Sequence, residues 1–596
     1  MYLRTTKRVN RDGSEVVYYQ LAQSVWDADK GRSDAKIVYN FGRADEVNVE
    51  ELRRLSESIR RVCDARGRVD EGRVVEAGSG ALPGDVDLLP AKSYGGFYLV
   101  EALWKRVEFD KILAARLPSR STHAPHGTAI LAMVANRLLA PSSKLACYEA
   151  WLRDDVYFPA GAELKLSQLY ASMDFLSAHS EEIENALFFR VADLFSLDVD
   201  LIFFDTTSVY FEVEAEEDEE APGEEGDDES QEDRPEATAE EEDEPLIEAG
   251  RRKRGKNKEG RDGNPQVVVA LAVTRDGLPV RSWVFPGNTA DVTTIKKVRE
   301  DLKGWQLSRV LFVGDAGFYS ADNLKTLSSG CGRYLLATPL RKVKELHGEV
   351  LKRAGRYKEL NEKLGVKEVL VGDGEARRRY FVCRNQREAE RARRHRKRLL
   401  DLLRGKLAEL EPQQEGDHLK KACRLLTSKR FARFLTKDEK GRIFLDPKKV
   451  KADERFDGKW VVTTNDDTLS PEDGALGYKA ALIIEACFRR LKTTGLKIRP
   501  VYHWRSRRII AHVKLCVFAL LLQRIAEIAC DDTWRNIRLA LRSIQVVPCE
   551  TPSGSFFHTT HAAPDALALL RKLKVPPPPK LLTVVPKTSP VREADA

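Results

Sequence analysis

Two short apolar runs, each ending in an aspartate, constrain the fold of this chain more than any other feature. LIFF precedes Asp205 and VLFVG precedes Asp315. Continuous apolar runs of this length are typical of strands buried on both faces, as in the sheets of α/β proteins. An acid directly after such a strand lies at the carboxyl edge of the sheet, where α/β folds often place catalytic groups, although it can equally cap a helix. We therefore predict an α/β fold with a candidate site at these two residues.

A third acid stands in a predicted helix, YKAALIIEACFRRLK. Tyr478, Glu485 and Lys492 are each seven residues apart, so they share one face of a continuous helix. A carboxylate among apolar neighbours is costly unless it is paired or binds a metal. The alternative for Glu485 is a surface salt bridge with Arg489 at i,i+4 spacing.

Three carboxylates without a cluster of Cys or His favour a hard divalent cation. The nine cysteines include no Cys-x-x-Cys pair, which points to reduced thiols rather than zinc ligands or disulfides. Oxygen ligands favour Mg²⁺ or Mn²⁺. Two such ions can stabilise the attacking and leaving oxygens of phosphoryl transfer, and Arg489 and Lys492 are candidates to contact the phosphates beside the ions.

The charge is strongly divided along the chain. The net value is +7, from 99 basic and 92 acidic residues. Residues 212–248 contain 21 acidic residues and one basic residue, and the remaining 98 basic and 71 acidic residues give +27. Such a basic chain is typical of a protein that binds a polyanion, although solvated Lys and Arg on an ordinary surface would give the same count. We also consider that the acidic segment mimics a polyanion, or that it is an inert solubilising loop.

The patterning predicts several regions. They are a β-meander with a helix (1–90), which the resemblance given below makes a candidate for binding DNA ends, a helical module (91–195), and an α/β core (196–337 and 475–545) with a disordered acidic loop (212–250). Short strands around a long basic helix follow (338–474), which the same resemblance makes a mostly β insertion, and then a C-terminal region with a flexible Pro-rich tail (546–596). No secretory signal is evident. The apolar stretch 509–529 has at most nine residues between charges, which predicts that it is too short to span a bilayer.

At these residues the chain resembles the DDE transposases of bacterial insertion sequences, in the insertion-sequence-four superfamily with its Tyr-x2-Arg-x3-Glu-x6-Lys signature. Tyr478, Glu485 and Lys492 fall at the signature spacings. DTTSVYFE at Asp205 resembles the first-aspartate block of the family, and residues 263–291 with 310–324 resemble the second. The segment 499–522 is similar to the helix that follows the glutamate.

The resemblance implies a ribonuclease-H-like core whose first aspartate lies on its first strand, interrupted by a mostly β insertion. It implies Asp205, Asp315 and Glu485 as the ligands of Mg²⁺ or Mn²⁺. It also implies that Tyr478 and Lys492 contact the phosphates of the transposon ends. The signature arginine is replaced by Ala481 here, so Arg489 or Arg490 would have to supply that phosphate contact.

Further candidates are less specific. Trp460, in DGKWVVTTN, is a candidate wedge for a flipped base, with a core strand position as the alternative. His503 and His512 are expected to have core or capping roles. The basic helix 387–406 is either a DNA-tracking surface or a solvated face.

The function implied is metal-dependent cleavage at transposon ends followed by strand transfer into target DNA, usually by cut and paste through DNA hairpins. The expected partners are double-stranded DNA with terminal inverted repeats, target DNA, and a second copy of the chain in a homodimer, with no membrane. We expect a cytoplasmic, nucleoid-associated bacterial protein. The alternatives are a ribonuclease-H-like nuclease without strand transfer and a non-catalytic DNA-binding protein derived from a transposase.

Overall fold

The computed structural model describes residues 2–9, 15–27, 32–43 and 86–586, apart from residues 118–124, 198, 213–249, 262, 306, 308–309, 375–376, 411–414, 439–441 and 552–553. The chain divides into two compact units, Met1–Asp85 and Val86–Ala596. The acidic segment predicted to be disordered and the helix predicted at 49–65 lie outside the described residues.

The described residues of the first unit form a three-stranded antiparallel sheet. Its strands are β1 (Tyr2–Val9), β2 (Glu15–Asp27) and β3 (Arg32–Arg43), paired in that order. Thr6 lies opposite Tyr18, and Leu21 lies opposite Tyr39. Alternating runs rich in β-branched and aromatic residues favour such pairing.

The second unit combines strands and helices, which confirms the predicted mixed α/β class. The strands are β4 (Asp87–Leu88), β5 (Lys92–Ser93), β6 (Leu201–Tyr210), β7 (Lys253–Arg254), β8 (Pro265–Val273), β9 (Pro279–Pro286), β10 (Leu311–Gly314), β11 (Arg333–Ala337), β12 (Lys358–Asn361), β13 (Leu364–Val371), β14 (Arg378–Asn385), β15 (Leu435–Lys437), β16 (Ile443–Leu445), β17 (Lys459–Thr464), β18 (Gln545–Thr551), β19 (Gly554–Thr559) and β20 (Leu581–Pro586).

The α-helices of this unit are α1 (Gly95–Arg106), α2 (Phe109–Ala114), α3 (His126–Leu139), α4 (Lys144–Ala146), α5 (Pro159–Ala162), α6 (Leu166–Ala178), α7 (Ser180–Leu194), α8 (Thr294–Gly304), α9 (Ala321–Ser328), α10 (Gln386–Ala408), α11 (Glu415–Thr427), α12 (Pro447–Glu454), α13 (Pro471–Ala480), α14 (Leu482–Arg489), α15 (Ser506–Cys530), α16 (Trp534–Leu541) and α17 (Pro564–Lys572). Wider helical turns extend α4 over Cys147–Asp155 and α14 over Arg490–Thr494.

A ten-stranded central sheet organises the second unit. Its order is β12-β13-β14-β17-β11-β10-β6-β8-β7, with β9 also paired to β8. β10 runs parallel to both β6 and β11, whereas β8 and β9 run antiparallel to their neighbours. The turn between β8 and β9 contains Gly277 at φ +75°, as the Asp-Gly pair in the sequence predicts.

Both faces of this sheet are covered, because successive side chains of a strand point to opposite sides. Phe203 of β6 packs in the cluster that contains α15, whereas Ile202 and Phe204 pack with Ile295 and Val298 of α8. The apolar run before Asp205 is therefore buried on both sides, as expected. This arrangement fixes the strand that carries the aspartate.

Helix α15 is the core helix of the unit, and it packs against α3 and α6. By length and composition it could cross a membrane, so the prediction that this stretch is too short was wrong. The isolated polar residues do not end the helix: His512 Nε2 donates to the Ile498 carbonyl at 2.9 Å and Lys514 pairs with Glu184. Of the most apolar 18-residue stretch of α15, 89% is buried inside the protein.

The segment predicted as an insertion contributes to two structures. Its strands β12, β13, β14 and β17 continue the central sheet, because β17 pairs with β11. The helices α10, α11 and α12 and the hairpin β15–β16 surround a separate small core that includes Leu399, Leu403 and Phe434. The strands β6 and β10 and the strands of the insertion thus share one sheet.

A second sheet of five strands contains β4, β5, β18, β19 and β20. The Pro-rich end was expected to be flexible from residue 575 onwards. Instead β20 pairs with β19, with Val585 opposite Ser555, because backbone pairing along a sheet edge needs no particular side-chain pattern. The expectation was wrong for residues up to 586, and residues 587–596 lie outside the described part.

Candidate functional site

Asp205, in the middle of β6, and Asp315, directly after β10, lie side by side where the parallel pairing of these two strands ends. β6 and β10 are parallel, and Phe204 pairs with Gly314, so the next residue of each strand is an aspartate. Adjacent strands are about 4.8 Å apart. A Cβ atom at Gly314 would lie 2.9 Å from Leu336 Cδ2, which explains the glycine before Asp315.

Asp205 is the most strongly perturbed acid of this edge. Burial, together with the nearby charges of Asp315 and Asp291, raises its pKa to about 6. Lys258 and the backbone N–H of Thr206, which donates to Asp205 Oδ1 at 2.7 Å, act in the opposite direction. A desolvated carboxylate among other carboxylates is poised to bind a cation.

Lys258 and Asp291 complete this edge, although no local signal in the sequence marks them. Lys258 Nζ lies 4.0 Å from Asp205 Oδ1 and 3.1 Å from Asp291 Oδ2. It also donates to the backbone carbonyl and the hydroxyl of Thr206, both at 2.7 Å. The Thr206 hydroxyl in turn donates to Asp291 Oδ1 at 2.5 Å. A positive charge thus already stands among the acids. Asp291 lies in the GNTAD segment, and its spacing alone could not assign it to the site.

Tyr478 connects the glutamate helix to the sheet edge. Its hydroxyl donates to Asp315 Oδ1 at 3.2 Å. Burial raises the pKa of Tyr478 strongly, and the charges of Asp315, Asp205 and Glu485 contribute in the same direction. All three predicted acids therefore act on one hydroxyl.

The predicted continuous helix over 478–492 is wrong, because it is divided into three parts. α13 ends at Ala480 and α14 begins at Leu482. At this junction the Ile484 N–H donates to the Ala481 carbonyl three residues back, a tighter turn than in an α-helix. Lys492 follows in the wider helical turns. The seven-residue spacing therefore does not place the three signature residues on one regular helix face.

Lys492 is paired inside the protein. Its Nζ lies 2.6 Å from Glu259 Oε1, and Arg499 Nη1 lies 2.7 Å from Glu259 Oε2. Burial lowers the pKa of Lys492, while Glu259 acts to raise it. Neither Glu259 nor Arg499 was predicted from the sequence.

Arg489 and Trp460 are the other two predicted contacts to DNA. Arg489 is exposed, and its side chain makes no hydrogen bond or ion pair within the described ranges; the predicted Glu485–Arg489 salt bridge is likewise not formed there. Trp460 is half-buried at the start of β17, packed against the main core. It stands at the same sheet edge as Asp315 but two strands away, roughly 10 Å across the sheet.

The metal site expected from the sequence is only partly assembled. Asp205 and Asp315 are neighbours, whereas Glu485 is exposed. Among the described residues, no three His, Cys, Asp or Glu side chains come close enough together to hold a metal ion. Mutual repulsion of carboxylates favours the solvated position of Glu485. The donors at this edge are oxygens, which fit Mg²⁺ or Mn²⁺.

Comparison with known families assigns the chain. A model described as "Transposase DDE domain" matches residues 233–522. A second model, "IS1634 family transposase, N-terminal domain", matches residues 3–71. The chain is a DDE transposase of an insertion sequence. The resemblance found in the sequence is thereby confirmed.

The match to the DDE domain of this transposase contains Asp315, Glu485 and Lys492 but begins after Asp205, whose place in the site rests on strand pairing. Among solved structures, the transposase is similar to "Cryo-EM structure of piggyBac transposase synaptic complex with hairpin DNA (SNHP)". The two chains are 10% identical with a TM-score of 0.30, over 75% of this chain and 79% of the other. No curated protein matches its sequence.

Proposed function

We propose that this transposase cuts DNA at transposon ends and joins it to target DNA, with Asp205, Asp315 and Glu485 as the catalytic acids. One observation carries the proposal: the parallel register of β6 and β10 brings two aspartates, 110 residues apart in sequence, to adjacent positions. The Tyr478 hydroxyl attaches the helix pair α13–α14, which carries Glu485, to the same edge.

The core is proposed to be ribonuclease-H-like. The order β9-β8-β6-β10-β11, with three antiparallel strands followed by two parallel ones, supports this assignment. Asp205 then lies on the first strand of the core and Asp315 directly after the fourth. The insertion falls between the fifth strand and the glutamate helix.

The three acids would hold two Mg²⁺ or Mn²⁺ ions. Such ions would stabilise the attacking and leaving oxygens of the phosphoryl group. The protein itself positions the ligands: the Thr206 N–H holds Asp205, and the Tyr478 hydroxyl holds Asp315. Metal ligands must be deprotonated, and the nearby Lys258 ammonium favours the ionised form of Asp205, while its own positive charge opposes a cation at the same oxygens.

Basic residues beside the acids are proposed to hold the DNA. Lys492 and exposed Arg489 would bind phosphates of the transposon end, with Tyr478 beside them, and Arg489 would take the role of the signature arginine that Ala481 replaces. Trp460 at the same sheet edge is proposed to stack on a base extruded during hairpin formation. Cut-and-paste transposition brings two inverted repeats together, so we propose a homodimer as the active form.

The proposal is tested with purified protein and duplex DNA that carries the inverted repeats flanking the gene. We expect cleavage and strand transfer with Mg²⁺ and neither with EDTA. Cleavage without joining would instead show a nuclease, and binding of the repeats without cleavage would show a non-catalytic DNA-binding protein. Asp205→Asn should bind the repeats and fail to cut them.

A further inference from the structure

Lys492 and Arg499 form an anion site that is already filled by the chain itself. The two cations are only 11% and 19% exposed, and each contacts a different oxygen of the Glu259 carboxylate. The Arg499 guanidinium also stacks on the Tyr210 ring, 4.4 Å from its centroid, and Tyr210 ends the strand that carries Asp205. The site is therefore fixed relative to the catalytic edge.

One donor of this site is not used by the Glu259 carboxylate. Arg499 Nε is buried and has no hydrogen-bond partner among the described residues. A phosphodiester offers two charged non-bridging oxygens and is bound by arginine through two parallel N–H bonds. A DNA backbone phosphate thus matches the charge and the donor geometry of Lys492 and Arg499.

The position of Glu259 along the chain links the anion site to the acids. The preceding residue is Lys258, whose ammonium lies among Asp205 and Asp291. Consecutive Cα atoms are about 3.8 Å apart, so an anion at the Glu259 position lies next to the catalytic edge. One short loop therefore supplies a cation to the acids and an anion to the bases.

That loop is anchored from behind. The Asn257 side chain accepts from the Glu259 N–H at 2.6 Å and donates to Gln266 at 2.8 Å on strand β8. Asn257 and Gln266 are both buried. The contacts made by Lys258 and Glu259 consequently belong to a defined loop conformation.

We propose that Lys492 and Arg499 bind a backbone phosphate of the DNA next to the cleaved bond, and that Glu259 occupies this place until DNA displaces it. This inference rests on the proposed function, because it assumes that DNA enters beside Asp205. It assigns Arg499 as a DNA-binding residue and Glu259 as an intramolecular competitor of the DNA.

The test measures binding of a fluorescein-labelled DNA duplex of about 25 base pairs to the full chain in EDTA, by anisotropy at several salt concentrations. Glu259→Gln should bind the duplex about fivefold more tightly, the scale of one exposed ion pair. The slope of its plot of log Kd against log salt should stay close to that of the unaltered protein, because Lys492 and Arg499 neutralise the same phosphate in both. Arg499→Gln should bind about fivefold more weakly, with a slope smaller by about 0.9.

The matched control is Glu359→Gln. It removes one negative charge and one ion pair of similar length, to Arg384 at 2.8 Å, on an outer strand of the sheet. It should leave Kd within about twofold. If Glu259→Gln lowers the melting temperature, Glu259→Asp serves as the second test variant, because it keeps the charge but shortens the side chain. It should still bind the duplex more tightly than the unaltered protein.

Unchanged or weaker DNA binding by folded Glu259→Gln or Glu259→Asp would overturn the inference and leave a purely structural ion pair. The two proposals fail separately. Cleavage by Asp205→Asn would refute the catalytic assignment without touching the duplex affinities. Unaltered affinities in the Glu259 and Arg499 variants, with cleavage still dependent on Asp205, would refute the phosphate site alone.

Discussion

The acidic cluster at the sheet edge and a buried basic cluster near α3 and α15 both gather like charges, but among the described residues only the acidic cluster has a counter-charge within 4.0 Å. Lys258 stands among the acids at 3.1–4.0 Å from two of them. After burial, the largest effect on the pKa values of Lys144 and His512 comes from the charge of Arg137, and the largest effect on the pKa of His503 comes from Lys144. The acidic cluster consists of Asp205, Asp291 and Asp315, and the basic cluster consists of Arg137, Lys144, His503 and His512.

The consequence is visible in the basic cluster. Burial lowers the pKa of Lys144 to about 7 and that of His503 to about 3, and the pKa of His512 is also far below its usual value. Arg137 donates to the Lys497 carbonyl at 3.0 Å. Burial therefore favours the neutral forms of Lys144, His503 and His512, whereas the Lys258 charge opposes the effect of burial on Asp205.

The largest expected effect tests the acidic cluster. Asp205→Asn should reduce cleavage of transposon-end DNA by about 10³-fold, the scale of removing one strong electrostatic interaction with the transition state. Binding of the same DNA should change by less than about twofold, because every basic side chain that faces the phosphates is kept. Single-turnover cleavage and anisotropy measure the two quantities.

The control for that variant is Asp200→Asn, at the other end of the same strand. Asp200 is half-exposed and pairs with Arg275 at 2.5 Å, on the edge opposite to the acids. Its cleavage rate should equal that of the unaltered protein. If both variants lose cleavage activity to a similar extent, the substitution of Asp205 acts by disturbing the fold and not by removing a catalytic group.

The next largest expected effect is a difference in the free energy of unfolding between variants of two buried lysines, Lys144 and Lys514. Lys144 makes no hydrogen bond or ion pair with its side chain in the described ranges, whereas Lys514 Nζ contacts Glu184 and Ser282 at 2.7 Å. Lys514→Met should lower the free energy of unfolding by about 3–5 kcal/mol, because Glu184 is left buried and unpaired. Lys144→Met should raise it by about 2–4 kcal/mol at pH 7. Denaturant unfolding measures both.

The same pair of variants gives a pH test. The pKa of Lys144 is about 7 in the folded state and near 10.5 when exposed. The unfolded chain therefore binds more protons between these values, and stability should rise with pH from about 7 to 10.5. In Lys144→Met that rise should disappear. A rise that persists in this variant would assign the titration to another group.

A smaller effect is expected at Tyr478. Tyr478→Phe removes the hydroxyl that donates to Asp315 and should slow cleavage about tenfold, the scale of one hydrogen bond to a charged group. It should also raise the Mg²⁺ concentration for half-maximal rate. Tyr148→Phe, whose hydroxyl accepts from Arg153, is the control and should leave both values unchanged. If the two variants behave alike, the Tyr478–Asp315 hydrogen bond does not position the acid.

The smallest effect concerns the acidic segment, a third group of like charges. Deleting residues 214–246 should increase nonspecific DNA affinity several-fold at low salt, because most of a −20 charge is removed. A variant of equal length with Gln and Asn in place of Glu and Asp should behave in the same way. Tighter binding by the deletion alone would assign the effect to length and not to charge.

The sequence predicted the half of the site that depends on local patterns. The apolar runs before Asp205 and Asp315 identified two strands buried on both faces, and the structure pairs them. Residues brought in by long-range contacts were not predictable. Lys258, Asp291 and Glu259 reach partners 52, 85 and 233 residues away, and no local periodicity encodes such distances.

Two other expectations failed where short-range contacts competed with pattern. The helix over 478–492 reads as continuous, but the tight turn at Ala481 separates Tyr478 from Glu485. The Pro-rich end reads as flexible, but β20 completes a sheet edge. In both cases the sequence pattern does not show which backbone groups form hydrogen bonds with each other.

The shared central sheet has a mechanical consequence. β17 hydrogen-bonds to β11, and β11 to β10, so an unbroken ladder of backbone bonds runs from the insertion to the residue before Asp315. The strands of the insertion are held in the central sheet and cannot swing about a hinge at residue 338. A force on the outer strands would be transmitted through the sheet to the edge that carries Asp315.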